Sequence, residues 1–349
     1  MLKTMKIALD VMGGDFAPQN PLLGALEALR AYPDTYLFLV GDQNQVAEAF
    51  WRHGGHPFAD RVEFVHSTQV VPMDAQAIES VRQKRDSSIS HCVRLVKEGK
   101  ADALVSAGHT GAVVAAATIL LRTLPGIQRA GIATVIPTEQ KQFVLIDSGA
   151  NIDSGPTHLL GYAIMGSIYS REVLHVANPR VGLLSIGTED VKGNELTKQA
   201  FKLLTQADIR FSGNVEGHNL FENPVDVVVC DGFVGNVVLK TAESVAKAVM
   251  HWLRSELGRN PLRMFGASLA RGAFLAVKRK SSYEEYGGAL LLGINGTCII
   301  AHGASTPKAI RNAIRIAREA VMQNVNSRIV QEMRRHCEAK SENTTASTV

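Results

Sequence analysis

The chain has 349 residues, of which 46% are hydrophobic and 20% charged, and its formal net charge is +4. This composition is typical of a folded globular protein and argues against a disordered chain. The mild positive charge permits an acidic partner or an anionic lipid surface. Because Lys and Arg are not interleaved with aromatic residues, no nucleic-acid partner is indicated.

The N-terminal stretch, residues 1–11, predicts the first strand of the fold, because it becomes polar too soon for a signal peptide. Met5 is an alternative start to Met1. The four cysteines are far apart and form no C-x-x-C pair, which excludes a thiolate zinc knuckle and indicates reduced thiols in the cytosol. The longest apolar run, residues 112–121, is about half of the ~20 residues that a membrane-spanning helix needs.

Short strand-like runs alternate with longer helical patterns along the chain. Strands are predicted at Lys6–Val11, Tyr36–Val40, Val62–His66, Ala103–Ser106, Gly131–Ile136, Phe143–Ile146, Val181–Ile186, Asp226–Val229 and Thr297–Ala301. Helices are predicted at Pro18–Ala31, Ser88–Glu98, Thr110–Leu121, Thr157–Glu172 and Asn194–Gln206. This alternation predicts an α/β fold with a mostly parallel, doubly wound sheet that helices cover on both faces.

The domain organisation predicted from the sequence is simple. Residues 1–339 form a single α/β catalytic domain, with an amphipathic, protruding insertion at 255–283. Residues 340–349 are rich in Ser and Thr and predict a disordered tail. The polar segment 67–87 is ambiguous, and we expect it to form a flap over the site.

The first glycine-rich turn follows the first predicted strand and has the sequence D-V-M-G-G-D. Ligands of doubly wound sheets bind beyond the carboxyl ends of the strands, where this turn lies. Gly13 and Gly14 allow a ligand to approach the backbone, and Asp10 and Asp15 offer polar groups to it. An equally good interpretation is a tight turn in which Asp15 caps the next helix.

The second turn, S-A-G-H-T-G, leads from a buried strand into an Ala/Val-rich helix. The unpaired N–H groups of such a helix start form an anion site, most often for phosphate. Thr110 can cap the helix and donate to an oxyanion, and His109 can protonate a leaving group or bind an anion when charged. The alternative for His109 is an exposed loop histidine. The other candidate phosphate-binding residues of this turn are Ser106, Gly108 and Gly111.

The third turn, C-D-G-F-V-G-N, follows an apolar strand and begins another helix. Asp231 and Asn236 fit a ligand-binding pair, with Gly232 and Gly235 as phosphate-binding residues beside them. Capping of the helix explains Asp231 or Asn236 equally well when each is taken alone.

Two further turns add candidates. In the turn that begins I-G-T-E-D, the phosphate-binding candidates are Gly187, Thr188 and Glu189, and Lys192 follows as a point charge for phosphate. In the turn D-S-G-A-N-I-D, Asn151 is the candidate, and the alternative is a turn held together by its own Asx side chains.

The motifs that are missing limit the mechanism. The chain has no G-x-S-x-G nucleophile elbow, no H-E-x-x-H or H-x-E with C-x-x-C metal pattern, no Walker A sequence and no G-x-G-x-x-G fingerprint. Several anion-binding turns without a nucleophile indicate direct transfer, in which a bound phosphate or carboxylate is itself the reactant.

Two basic segments are candidates for contacts with a partner. Arg82, Lys84 and Arg85 can attract phosphate or an acidic protein. Residues 261–280 combine apolar side chains, including Leu269 and Phe274, with five basic ones, which is typical of a helix that lies on an anionic membrane. Packing in the core or in a dimer interface is the alternative for this second segment.

Seven long motifs, in order from Met5 to about Gln323, make the sequence similar to the phosphate acyltransferase (PlsX) family of bacterial phospholipid synthesis. They are L-D-V-M-G-G-D-F-A-P, K-R-D-S-S, S-A-G-H-T-G-A, I-D-S-G-A-N, N-P-R-V-G-L-L-S-I-G-T-E-D-V-K-G-N-E-L, V-C-D-G-F-V-G-N-V-V-L-K-T and Y-G-G-A-L-L-L-G. The resemblance implies transfer of a long-chain acyl group from acyl carrier protein to inorganic phosphate, which gives acyl phosphate. It also implies a fold similar to the isocitrate dehydrogenase and phosphotransacetylase group.

The resemblance further implies a homodimer with neither metal nor nucleotide cofactor. It places the protein in the cytoplasm, loosely associated with the inner membrane surface, and makes a membrane-bound glycerol-phosphate acyltransferase its expected partner. Two positions depart from the family pattern: His109 stands where the family usually has Asn, and Val234 stands where many members have Thr. Both departures shift the expected catalytic role towards backbone N–H groups, Thr110, Asp231 and Asn236.

Two other functions remain open at the level of the sequence. One is a metal- and NAD(P)-dependent dehydrogenase of the isocitrate type, against which the missing metal-acid pattern counts. The other is a non-catalytic scaffold at the membrane surface, or a phosphate sensor, for lipid synthesis. Such a protein would bind acyl carrier protein or lipid without turnover.

Overall fold

The computed structural model describes residues 4–222, 225–280 and 283–346, which form one large sheet with helices on both faces. The strands are β1 (Met5–Asp10), β2 (Thr35–Gly41), β3 (Val62–His66), β4 (Ala103–Ser106), β5 (Gly131–Pro137), β6 (Gln142–Ile146), β7 (Val181–Ser185), β8 (Phe211–Glu216), β9 (Val227–Val229), β10 (Ala289–Leu292) and β11 (Thr297–Ile300). The helices are α1 (Gln19–Ala31), α2 (Gln43–Arg52), α3 (Ala77–Gln83), α4 (Ser88–Lys97), α5 (Thr110–Leu121), α6 (Pro156–Glu172), α7 (Glu195–Thr205), α8 (Gly232–Leu257), α9 (Pro261–Leu269), α10 (Arg271–Lys280), α11 (Pro307–Met322) and α12 (Val325–Ala346).

All nine predicted strands are present, and two more, β8 and β10, were missed. The segment F-S-G-N-V-E of β8 contains a glycine and several polar residues, which weaken a strand pattern. The segment A-L-L-L of β10 is a short apolar run, and periodicity cannot distinguish such a run from part of a buried helix.

The sheet is mostly parallel, as predicted, but its two halves run in opposite directions. The strand order is β3-β2-β1-β4-β11-β10-β5-β6-β9-β7-β8. The antiparallel pairs, β11 with β10, β10 with β5, and β5 with β6, lie together in the middle. Strands β1 to β4 and β11 therefore point one way, and β6 to β9 point the other way.

A single row of paired residues crosses the sheet and brings the ends of both halves to the same level. The row consists of Leu9, Val105, Ile299, Leu290, Ala133, Ile146, Val229 and Leu183. Strands β1, β4, β6, β7 and β9 all end within two residues of this row. The glycine-rich turns that follow them therefore start near the middle of the sheet, although they come from opposed halves.

The hydrophobic core is interrupted on one face of the sheet, and this interruption forms a cleft. On one face a continuous cluster runs under both halves and includes Leu9 and Ile146. On the other face the core is split into two clusters, one of which contains Ile132 and the other Ile136. Thr134 lies between these residues on the same face of β5, because side chains of a strand alternate between faces. The break leaves a cleft above the central strands.

The segment predicted as an amphipathic insertion consists of the end of α8 with α9 and α10. Helix α8 has 26 residues and is therefore about 39 Å long. Only its glycines Gly232 and Gly235 are buried, so most of α8 projects from the sheet. Helix α9 contacts chiefly α8 and α10.

The two ends of the chain differ in how they compare with the sequence analysis. Met5 begins β1, whereas Met1 lies outside the described residues. Helix α12 continues through residues 340–346, where the sequence predicts a disordered tail, and residues 347–349 lie outside the described part. Extending an existing helix needs no new nucleus, which favours continuation into a polar segment.

Across residues 4–222, 225–280 and 283–346, no helix is both long enough and apolar enough to cross a membrane.

Candidate active site

The turns after β1 and β4 are joined by a buried carboxylate. Ser106 Oγ donates to Asp10 Oδ2 over 2.7 Å, and the Gly108 N–H donates to Ser106 Oγ over 3.1 Å. The Met12 N–H donates to the other carboxylate oxygen of Asp10 over 3.1 Å. Burial raises the pKa of Asp10, while the bonds from Ser106 and its neighbours lower it. Asp10 therefore holds two turns together from inside the protein.

The glycines of the first turn are required by close contacts with other turns. A Cβ on Gly13 would lie 2.6 Å from the backbone nitrogen of Gly108. Gly14 has φ +100°, and a Cβ there would lie 2.8 Å from the Gly303 carbonyl oxygen. The Asp15 N–H donates to that same carbonyl over 2.8 Å. This turn thus packs against the turn after β4 and the loop after β11.

His109 is the N-cap of α5. Its Nδ1 accepts a hydrogen bond of 3.1 Å from the Ala112 N–H. The N–H groups of Thr110 and Gly111, in the first turn of α5, make no hydrogen bond to any residue that the structure describes. These two groups lie at the positive end of the helix dipole. The helix start therefore offers two donors to an anion, with the exposed Thr110 hydroxyl beside them.

We expect His109→Asn to keep kcat/KM for acyl transfer within about tenfold of the unsubstituted chain. The Asn Oδ1 can accept from the Ala112 N–H as His109 Nδ1 does, and a tenfold change corresponds to about 1.4 kcal/mol. His109→Ala, which removes the cap, serves as the comparison. A loss beyond a hundredfold in His109→Asn would show that the imidazole takes part in the chemistry.

The turn after β6 is organised around Asp147, which the sequence analysis did not select. Its carboxylate accepts hydrogen bonds from the N–H groups of Ile132, Gly149, Ala150 and Asn151 over 2.8 to 3.0 Å. Burial raises the pKa of Asp147, and these donated bonds lower it. The Asn151 amide is also used inside the turn, since it donates to Asp147 and to the Ala130 carbonyl.

Helix α8 begins in close contact with this turn. A Cβ on Gly235 would lie 1.9 Å from the Asp147 carbonyl oxygen, and one on Gly232 would lie 2.5 Å from the Asn151 carbonyl oxygen. The Asp231 carboxylate caps the helix by accepting from the N–H groups of Phe233 and Val234, each over 3.0 Å. Asp231 thus caps α8, which is the alternative that the sequence analysis left open beside a ligand contact.

The cleft contains a cavity of about 130 Å³, which we call the central cavity. It lies between the start of α5, strands β5 and β10, helix α8 and the loop after β11. Its polar lining residues are Thr110, Thr134, Ser148, Asn236, Lys240, Glu243, Tyr286, His302 and Ser305. Lys240 Nζ and Glu243 Oε2 are 3.1 Å apart, and the hydroxyls of Thr134 and Ser148 are 2.6 Å apart.

The sequence analysis missed His302, which follows β11. Its Nδ1 accepts from the Ala304 N–H over 3.1 Å. Partial burial lowers the pKa of His302, and the positive charges of Lys240 and Lys247 lower it further. The segment A-H-G carries no local signal for a site, and only the position of β11 between β4 and β10 brings it to the cleft.

A second cavity, of about 300 Å³, lies on the other side of the start of α8, and we call it the side cavity. Its lining residues are Leu159, Leu184, Ser185, Ile186, Gly193, Asn194, Thr197, Cys230, Asp231 and Val234. It is bordered by the turn after β7, in which Gly187 is buried and Thr188, Glu189 and Lys192 are exposed. A Cβ on Gly187 would lie 2.7 Å from Lys192 Cγ, so that turn is closely packed.

The structure therefore divides the predicted site residues into three groups. Thr110 and Asn236 share the central cavity, and Asp231 lines the side cavity next to the turn of Lys192. The third group packs inside or between turns. It comprises Asp10, Gly13, Gly14, Ser106, Gly108, Asn151, Gly232 and Gly235.

The segment predicted as a flap covers the start of α5. A Cβ on Gly111 would lie 3.0 Å from Ala77 Cβ in α3. Lys84 Nζ donates to the Val70 carbonyl over 2.8 Å, whereas Arg82 and Arg85 are exposed. The two arginines are thus available to a partner, whereas Lys84 forms a hydrogen bond within its own segment.

Exposed apolar side chains are concentrated on α9 and α10. They are Leu262, Met264, Phe265, Leu269, Leu275 and Val277. Leu269 is 74% exposed, whereas Phe274 is half-buried. Several large apolar side chains exposed on neighbouring helices are typical of a site of interaction with protein or membrane.

Within the part of the chain that the structure describes, no three His, Cys, Asp or Glu side chains form a group that could hold a metal ion.

Known proteins resemble this chain in both sequence and fold. A family model described as fatty acid synthesis protein matches residues 5–328. The phosphate acyltransferase of Akkermansia muciniphila is 50% identical, with 95% of this chain and 96% of the relative aligned. That of Desulfitobacterium hafniense is 47% identical, with 96% of this chain and 100% of the relative aligned.

Solved structures show the same fold at low sequence identity. A phosphotransacetylase from Streptococcus pyogenes has a TM-score of 0.61 and 18% identity, and the match covers 93% of this chain and 94% of that one. A phosphotransacetylase from Staphylococcus aureus has a TM-score of 0.58 and 17% identity, with coverage of 92% and 96%.

Proposed function

From its membership of the phosphate acyltransferase family, which makes the chain an acyltransferase that acts on phosphate, we propose that its acyl donor is a long-chain fatty acyl thioester of acyl carrier protein. The product is then acyl phosphate, an activated precursor for phospholipid synthesis. The observation that carries the proposal is the start of α5, which offers two N–H donors and whose Thr110 lines the central cavity together with Asn236 and Lys240.

In the proposed mechanism, phosphate binds at the start of α5. The N–H groups of Thr110 and Gly111 and the Thr110 hydroxyl donate to its oxygens, and the Asn236 amide lies across the same cavity. A phosphate oxygen attacks the thioester carbonyl, a C–O bond forms, the C–S bond breaks, and the sulfur leaves as a thiolate. The side-chain amide of Asn236, which lines the same cavity, stabilises the negative charge that develops on the carbonyl oxygen.

Positive charge outside the cavity supports the choice of donor. Lys192, Arg82 and Arg85 are exposed around the site. Exposed basic residues attract phosphate and an acidic carrier protein over long distances and raise the rate of encounter. We propose these three residues as the steering contacts.

The proposal is tested with the purified full chain and palmitoyl-acyl carrier protein, with and without phosphate. Acyl phosphate, trapped with hydroxylamine, is expected to form only when phosphate is present. Palmitoyl-coenzyme A is the comparison donor. Acyl phosphate from coenzyme A but none from acyl carrier protein would overturn the proposed donor. Binding of acyl carrier protein without any turnover would favour the non-catalytic scaffold.

We also propose that the protein acts as a homodimer on the cytoplasmic surface of an anionic membrane, next to a membrane-bound glycerol-phosphate acyltransferase that consumes the product. The exposed apolar side chains of α9 and α10 support this location, because basic residues stand between them. A long-chain acyl phosphate is amphiphilic, so its release at a lipid surface keeps the chain out of water.

We expect Leu269→Glu combined with Phe274→Glu to abolish flotation of the protein with anionic liposomes. Two new negative charges would face the lipid, and a charged side chain is costly to bury there. Met322→Glu, at an exposed apolar position at the end of α11, is the matched control and should float like the unsubstituted chain. Unchanged flotation of the double variant, with its oligomeric state intact, would remove the membrane contact from the proposal.

A further inference from the structure

We propose that the side cavity binds the fatty acyl chain of the donor and that Val234 limits the chain length it accepts. This inference rests on the proposed long-chain donor. The cavity volume of about 300 Å³ is at the lower end of the range for ligand sites. Part of a long chain therefore fits inside, and the remainder lies on the apolar side chains around it.

The chemistry of the lining fits a hydrocarbon. The apolar walls come from α6, from β7 and the turn after it, and from α8, and consist of Leu159, Leu184, Ile186 and Val234. Burial raises the pKa of the Cys230 thiol, so this wall residue stays neutral. Among the residues that the structure describes, the Asp231 carboxylate is the one charged group in the lining, and it is already bonded to two N–H groups of α8.

All but one of the remaining polar side chains in the lining form hydrogen bonds within the protein. The Asn194 side chain accepts from the Thr197 N–H over 2.9 Å, and the Thr197 hydroxyl donates to the Asn194 carbonyl over 3.0 Å. Ser185 Oγ is buried and has no hydrogen-bond partner among the described residues. Apart from this hydroxyl, the lining presents little that a ligand would have to hydrogen-bond, which suits a hydrocarbon chain.

The position of the side cavity relative to the central cavity fits the reaction. Val234 lines the side cavity, and Asn236 and Leu239 of the same helix line the central cavity. Five residues of α8 span about 7.5 Å along the helix axis. Val234 and Asn236 are about 200° apart around the helix axis, so a thioester with its carbonyl near Asn236 extends its chain around the exposed start of α8 to reach Val234. Ile186 and Val234 are 80% and 37% exposed, so the apolar lining continues to the surface.

The test is a chain-length profile of the full protein with Val234→Phe. The larger side chain fills part of the cavity, and each methylene group that loses its apolar contact costs about fourfold in affinity. We expect kcat/KM for a 16-carbon donor to fall at least tenfold and that for an 8-carbon donor to change less than threefold. Val234→Ala should leave the 16-carbon donor at least as good as before.

Val237→Phe is the matched control, since Val237 lies one turn further along α8, is 51% exposed and lines neither cavity. Its profile should equal that of the unsubstituted chain. Binding of 8- and 16-carbon alkylphosphonates, read as a thermal shift, gives a second measurement that does not depend on turnover. A chain-length profile unchanged by Val234→Phe, or equal losses for both lengths, would overturn the proposal. Failure of the unsubstituted chain to use any long-chain donor would instead count against the proposed function.

Discussion

Replacing Gly235 by alanine is expected to reduce acyl transfer more than a hundredfold and to destabilise the protein by about 1–3 kcal/mol. The added Cβ would lie 1.9 Å from the Asp147 carbonyl oxygen and 2.9 Å from Cys230 Sγ, so the start of α8 must move away from the turn after β6. That movement displaces Asn236, the next residue, from the central cavity. A displacement of about 1 Å at a reacting group is enough for a hundredfold loss.

Gly161→Ala provides the control for this experiment. Gly161 is also buried in a helix, but a Cβ there meets no atom within 4 Å. Alanine in mid-helix is favoured over glycine by about 0.5–1 kcal/mol, so Gly161→Ala should be neutral or stabilising. Unfolding curves and kcat/KM of both variants are the measurements. Full activity in Gly235→Ala would contradict the proposal that close packing of α8 against the turn after β6 positions Asn236.

Asp147→Asn is expected to lower the free energy of unfolding by about 2–5 kcal/mol and to inactivate the enzyme. Five hydrogen bonds converge on the two carboxylate oxygens, and every partner is a donor. An asparagine side chain has only one oxygen that accepts hydrogen bonds. Its NH₂ group would therefore face the N–H groups that donate to the other carboxylate oxygen of Asp147. Each buried donor left without an acceptor costs about 1–3 kcal/mol.

Asp153→Asn, at the exposed end of the same turn, is the matched control. It makes the same chemical change outside the hydrogen-bond network and should alter stability by no more than about 0.5 kcal/mol. Chemical denaturation of the two variants measures the difference. If Asp147→Asn proved as stable as Asp153→Asn, the carboxylate would not be what holds the turn.

Much of the fold follows from the sequence because its signals are local. A buried strand followed by glycine and then by a helical pattern is visible in S-A-G-H-T-G, and the structure places α5 where that pattern predicts it. The opposed direction of the two halves has no local signal. It depends on three antiparallel pairs in the middle of the sheet, one of which involves the short, unpredicted β10.

The roles of the site residues were harder to predict than their positions. A carboxylate beside a glycine turn fits a ligand contact and a structural contact equally well. For Asp10 the deciding partner is Ser106, which is 96 residues away in the chain, and for Asp231 it is the first turn of its own helix. His302 and Thr134 have no neighbouring motif, so only the topology reveals them as lining residues of the central cavity.

The strand order has a consequence for how the protein is made. Strands β10 and β11 are near the end of the chain, yet they pair with β4 and β5 in the middle of the sheet. During synthesis the edges of β4 and β5 remain unpaired until these late strands emerge, and unpaired apolar edges favour aggregation. The cleft is therefore completed late, once β10, β11 and the start of α11 have emerged. A nascent chain that stops short of β11 lacks one wall of the central cavity, so we expect it to be inactive in acyl transfer.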